Sequence, residues 1–198
     1  MILFGMLFYM HAPLTSEFFN RPTTDVAQDM LGKFLIREYN GHLWTMMINE
    51  VEAYDGPDDK ASHAHKGRTS RTEPMFADAG TLYVYLIYGM HWMLNIVTGP
   101  KEYPAAILIR GGLIMLPNGA IEHLDGPAKL TKFLRIEKEF NAKTATKQNG
   151  LWFEDRDIVI PPEHIVRKKR IGVDYAAEWK DALYNFSIAV EKNTPPTN

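Results

Sequence analysis

From residue 33 onward the dominant rhythm is alternation of period two, the mark of strands with one buried face. Residues 33–39 and 42–54 alternate on either side of Asn40-Gly41. That dipeptide supplies the positive φ angles a two-residue hairpin loop demands, so the pair predicts a hairpin. Residues 81–88 and 91–97 predict two aromatic-rich strands hinged near Gly89; residues 105–110 predict a third, with a fourth across the Asn118-Gly119 turn. Helical spacing is confined to two places. Val26, Ala27, Met30, Leu31 and Phe34 recur at helical intervals after the start signals Pro22, Thr24 and Asp25, with Gly32 weakening the end. Asp125-Gly126-Pro127 opens a second helix with proline near its first position, and Leu130, Phe133, Leu134 and Phe140 form its core side. Short strands are expected around 158–160 and 170–173. No period of 20–50 residues repeats, which excludes a solenoid. The pattern predicts an α+β fold: a single domain, mostly antiparallel β-sheet with surrounding helices and a protruding aromatic β-hairpin.

Composition narrows this further. The chain has 198 residues, 45% apolar and 23% charged, enough for one well-filled core and too apolar for disorder. There is no cysteine, which excludes disulfide scaffolds, thiol chemistry and cysteine-ligated zinc or iron–sulfur sites. A net charge of −2 means that any nucleic-acid role needs local basic patches. Residues 1–14 are apolar but shorter than the about 20 residues that span a bilayer. They also lack the positive segment and cleavage site of a signal peptide. They read as an apolar extension to a domain at 15–190, followed by a polar tail at 191–198. The expected protein is soluble and intracellular, with no membrane partner.

Residues two apart on a strand share a face, so Glu50, Glu52 and Tyr54 point the same way. Two carboxylates and a phenol ending a strand suit acid–base work; the alternative is a solvated strand face. The polar loop at 55–74 holds Asp58, Asp59, His63 and His65. With Glu50 and Glu52 they would serve a metal-dependent nuclease or hydrolase, although no pattern here fixes a coordination geometry. The alternative is a hydrated loop whose histidines hydrogen-bond or stack. Tyr83 and Tyr85 share one strand face, while Tyr88 falls at the Gly89 bend beside Met90, where an aromatic could wedge open a duplex. The alternative packs these tyrosines in the core. Basic residues gather at Lys66, Arg68 and Arg71, at Lys129, Lys132 and Arg135, and at Arg167-Lys168-Lys169-Arg170. If they converged around the aromatic hairpin they would form a phosphate-binding rim.

The ordered set is recognisable. Asn49–Tyr54 with Gly56-Pro57-Asp58-Asp59, Ala61-Ser62-His63, Arg68, Met75-Phe76, Gly80–Met90 and Asn95-Ile96 resembles the alkyladenine (3-methyladenine) DNA glycosylase family. Ser16-Glu17-Phe18-Phe19, Leu31-Gly32, Gly126-Pro127 with Lys129-Leu130, and Arg170-Ile171-Gly172-Val173 extend the resemblance over nearly everything after Leu14. The resemblance implies a monofunctional base-excision-repair enzyme without cofactor or metal. Its partner would be double-stranded DNA containing damaged purines; it would act as a monomer, in the cytoplasm at the nucleoid or in a nucleus. By the same resemblance, Glu52 is the general base that activates water against C1′ of the deoxyribose. Tyr54, His63 and Tyr85 sandwich the extruded base, Asn95 crowds the exocyclic amine of guanine, and Tyr88 with Met90 enters the duplex. Arg68, Arg71, Arg110, Lys129 and Arg170 are the expected DNA contacts.

Overall fold

Asn40 and Gly41 take φ of 50° and 73°, and the strands they join are β1 (Phe34–Tyr39) and β2 (His42–Asp55), paired antiparallel from Tyr39↔His42 to Phe34↔Met47. This is a computed structural model, and it describes residues 11–189. The expected tail at 191–198 lies outside the described residues, as does most of the expected extension. Of that extension, Pro13 bridges Glu154 and the Leu14 amide donates to the Phe153 carbonyl, so the chain enters along a sheet edge.

Strand β2 organises the molecule. At 14 residues it pairs along one side with β5 (Ala105–Met115) and on the other first with β1, then with β9 (Asn185–Ile188). The remaining strands are β3 (Leu82–Ile87), β4 (His91–Val97), β6 (Ile121–Asp125), β7 (Leu151–Glu154) and β8 (Ile165–Lys168). Together they form one nine-stranded sheet of order β3-β4-β5-β2-β1-β7, with β6 on β5, and β8 on β9, which itself pairs β2. Every pairing between named strands is antiparallel.

Among the described residues three α-helices complete the fold: α1 (Ser16–Phe19), α2 (Thr23–Asp29) and α3 (Pro127–Leu134). Helix α2 packs on β2, and α3 packs on β4 and β5. The shared core includes Val26, Met30, Leu35, Met46, Val51, Leu94, Ile107, Leu130 and Phe153. The α+β reading holds.

Several expected boundaries do not. Phe34 opens β1 rather than closing α2, because the chain turns at Gly32, whose φ is +82°. Phe140 lies beyond α3, which ends where Arg135 adopts a left-handed φ of 52°; it reaches the core from a separate 3₁₀ turn, Lys138–Phe140. Residues 158–160 and 170–173 are not strands. Ile158 and Ile160 instead lie over Gly32, where an added Cβ would come within 3.1–3.2 Å of their side chains.

Two register shifts interrupt the β2–β5 ladder, where Asn49 on β2 and Arg110 on β5 have no Cα partner. Bulges of this kind re-aim side chains next to functional sites. Here the two strands also approach closely: a Cβ on Gly112 would meet Met46 Cγ at 2.5 Å.

Candidate active site

The alternation of β2 does place Glu50, Glu52 and Tyr54 together, and the surrounding strands decide what they meet. Glu52 stands opposite Leu108 of β5 and Asn185 of β9, in the middle of the sheet. Its exposure is 0%. A carboxylate taken wholly out of water must be hydrogen-bonded, and four donors converge on this one. Tyr54 Oη (2.9 Å) and Arg110 Nη1 (3.3 Å) donate to Oε2; the Ile171 amide (2.8 Å) and Asn185 Nδ2 (3.2 Å) donate to Oε1. Arg110 Nε and Asn185 Nδ2 each also reach Glu50 Oε1, at 3.1 and 2.8 Å, so the bulge residue Arg110 bridges both glutamates.

Behind Tyr54 lies a buried clamp. Arg170 Nη2 donates to Asp59 Oδ1 at 2.8 Å and Nη1 to Oδ2; Asp59 further accepts the amides of Asp55 and Ala61. Arg170 also donates to the Ala53 carbonyl, and its guanidinium lies 4.8 Å from the Tyr54 ring centroid. The next residue, Ile171, then offers its amide to Glu52. Thus Arg170, expected at a DNA phosphate, is directed inward to Asp59.

In front of Glu52 opens a cavity of about 460 Å³, within the usual 300–1,000 Å³ of small-molecule sites. Tyr54, His63, Tyr83, Tyr85, Asn95 and Arg110 line it, and Tyr88 and His91 stand at its hairpin end. His63 Nδ1 meets Tyr83 Oη at 3.1 Å, and its ring is edge-on to Tyr85 with centroids 4.6 Å apart. Burial, reinforced by the positive charge of Arg71, pushes the His63 imidazole down to about 4, so the ring is neutral at ordinary pH. Burial raises the Tyr85 and Tyr54 phenols above their usual range, with Glu52 adding to the rise at Tyr54. Asn95 is buried and donates to the Tyr83 carbonyl at 3.0 Å. The cavity therefore presents neutral aromatic faces, one amide and the glutamate-paired Arg110 guanidinium, with a buried carboxylate one hydrogen bond behind its wall.

Tyr88 and Gly89 form the tip of the β3–β4 hairpin with φ of 53° and 68°. Glycine takes that conformation freely, whereas a bulky residue there is an outlier. Tyr88 is 83% exposed and Met90 70%.

The outer cations are dispersed. Arg68 pairs with Glu73 and Glu102; Arg71 stands with its guanidinium 5.2 Å from the Tyr85 ring centroid; Lys129 Nζ lies 3.8 Å from Glu122. In the 167–170 run, Arg167 donates to Gln28 and Lys169 pairs with Asp181, so these residues do not form one patch with Arg170. The six residues of the metal reading do not converge either. Asp59 is engaged by Arg170, His63 by Tyr83 and His65 by the Pro57 carbonyl, and Asp58 is exposed. Among the described residues, no group of three or more His, Asp or Glu is placed to hold a metal ion. Also among them, no helix is long and apolar enough to cross a membrane.

Sequence reasoning assigned no role to Asn185, to the Ile171 amide or to the Asp59–Arg170 clamp. Asn185 and Ile171 lie more than 100 residues from Glu52, and nothing local marks them. Only the Arg170–Val173 motif drew notice, as part of a resemblance.

Comparison with known proteins agrees with the geometry. The family model described as methylpurine-DNA glycosylase matches residues 17–192. A Clostridium perfringens protein provisionally named 3-methyladenine DNA glycosylase is 39% identical over 201 residues, covering 90% of this chain and 97% of that protein. A Methanocella arvoryzae protein of the same provisional name is 42% identical over 193 residues, covering 92% and 94%. One from Anaeromyxobacter is 40% identical over 175 residues, covering 88% of each. With a family match over most of its length, this chain belongs to the methylpurine-DNA glycosylases.

Proposed function

We propose that this enzyme removes alkylated or deaminated purines, such as 3-methyladenine and hypoxanthine, from double-stranded DNA by hydrolysis of the N-glycosidic bond. The target base cannot be reached inside the duplex and is rotated out of the stack, at a cost of a few kcal/mol that is least for damaged or mispaired bases. It enters between Tyr54, His63 and Tyr85, and stacking on such faces returns about 1–3 kcal/mol per base. Tyr88 fills the gap left in the duplex, with Met90 beside it. Asn95, held at one end by the Tyr83 carbonyl, crowds the exocyclic amine of guanine.

The observation that carries this reading is the relation of Glu52 to the cavity: a wholly buried carboxylate whose donors Tyr54 and Arg110 are themselves cavity walls. Water from the cavity replaces the 3.3 Å Arg110 contact, the longest of the four. The water oxygen bonds to C1′, its proton passes to Glu52, and the C1′–N bond breaks with its electron pair leaving on the base. A base alkylated at N3 or N7 departs neutral because it was bound as a cation; a neutral base takes a proton from solvent water as it leaves. No covalent enzyme intermediate is required, and among the described residues no lysine stands in the cavity wall to form a Schiff base. DNA is the partner, the enzyme acts as a monomer at the nucleoid or in a nucleus, and residues 15–190 form the working domain.

Base release from duplexes carrying single lesions tests this, with EDTA present throughout to separate it from metal-dependent hydrolysis. Glu52→Gln is expected to slow release about 10²–10⁴-fold, as for loss of a general base, while lesion binding persists. Native turnover in that variant removes Glu52 from its role.

A further inference from the structure

Both aromatic walls of the cavity carry a guanidinium, and the two differ in one respect. Arg170 lies 4.8 Å from the Tyr54 ring centroid, buried and paired with Asp59, so its charge is compensated. Arg71 lies 5.2 Å from the Tyr85 ring centroid, is exposed, and has no carboxylate within ion-pairing distance among the described residues. Its charge also bears on the Tyr83 hydroxyl and on His63. One wall is thus backed by a neutralised ion pair and the other by a free cation.

A bare tyrosine face attracts cations through the negative potential of its ring. A guanidinium already seated on that ring draws on the same potential and repels a second positive charge stacked on the wall. The repulsion acts over the short distance between wall and stacked base, in a partly enclosed cavity where charges are less screened than on a flat surface. A neutral purine stacked in the same place meets no such penalty. We infer that Arg71 is a specificity-determining residue that disfavours purines bound as cations, such as 7-methylguanine, relative to neutral ones such as hypoxanthine. This rests on the proposed stacking of the extruded base against Tyr85.

A phosphate-binding role for Arg71 predicts something different. Lost phosphate contact weakens both substrates alike, whereas loss of a cation on the wall changes their ratio. The measurement is therefore kcat/KM for release of 7-methylguanine and of hypoxanthine from matched duplexes by the native enzyme, Arg71→Gln and Arg71→Lys. Arg71 is exposed, so neither substitution threatens folding. Arg71→Gln is expected to raise the 7-methylguanine to hypoxanthine ratio about 2- to 5-fold, the scale of one cation–π contact at an exposed site. Arg71→Lys, which keeps the charge, is expected to restore the native ratio. Release of both bases with a ratio unmoved by Arg71→Gln overturns the selectivity and leaves the glycosylase reading standing. Release of neither base by the native enzyme overturns that reading, and this inference with it.

Discussion

The Tyr54 hydroxyl donates to Glu52 Oε2 at 2.9 Å while its ring lines the cavity, so one side chain couples the buried carboxylate to the wall. The two functions separate by substitution. Tyr54→Phe deletes the donor and keeps the ring; lesion affinity is expected to stay within about threefold. Tyr54→Ala deletes both, and loss of about 1–3 kcal/mol of stacking weakens lesion binding about 5- to 150-fold. Fluorescence anisotropy on a lesion duplex reads both, and equal losses in the two variants would deny the ring its stacking role.

Asp59→Asn tests the clamp behind that wall. Arg170 is buried with Asp59 as its counter-ion, and its Nε already has no hydrogen-bond partner. Removing one member of a buried pair leaves an uncompensated charge, which costs about 3–5 kcal/mol. In a domain of this size that lowers Tm by roughly 6–20 °C. Glu178→Gln breaks the exposed Lys60–Glu178 pair nearby and is expected to leave Tm close to the native value, because solvent screens such a pair. Similar Tm values for the two variants would make the clamp dispensable.

How far the site was legible follows from the range of each interaction. The β1–β2 hairpin was readable because Asn40-Gly41 and the alternation beside it are local. The same alternation set Glu50, Glu52 and Tyr54 on one face. Strands β7, β8 and β9 are four residues each, too short for a periodic signal, and β9 finds β2 across more than 130 residues. Asn185 reaches Glu52 only through that pairing. The destination of Arg170 was illegible for another reason: a cation beside Lys168 and Lys169 reads as surface, and only the tertiary fold brings Asp59 to it. Tyr88 at a tip was readable from Gly89, whereas its left-handed backbone was not.

His63 supplies a pH observable. Burial and Arg71 place its folded pKa at about 4, below the usual value of about 6.5. The unfolded chain therefore takes up the proton at higher pH than the folded one. The stability that neutral His63 contributes is complete above about 6.5 and is lost as pH falls toward about 4. The ring remains open to the cavity and to solvent, so screening keeps that loss small. The imidazole resonances are the direct probe: a midpoint well below 6 is expected in the native enzyme, rising in Arg71→Gln. A midpoint near 6.5 in both would mean that neither burial nor Arg71 acts on the ring.

Tyr88 sets function against stability at a single residue. A side chain with a Cβ in the left-handed region costs about 1–2 kcal/mol, and asparagine tolerates that region better because its short polar side chain bonds locally. Tyr88→Asn keeps the hairpin geometry, removes the aromatic and relieves part of that cost. As an 83% exposed side chain, Tyr88 gives up little packing in exchange. The variant is expected to gain about 0.5–1 kcal/mol in denaturant unfolding, the pattern seen where strained functional residues are replaced. Over the same substitution, discrimination between damaged and intact duplex should fall, because nothing fills the space of the departed base. A variant that is more stable and equally discriminating would detach Tyr88 from the wedge. One that is less stable would mean that the tip residue holds the hairpin together, and its positive φ would then belong to folding rather than to DNA.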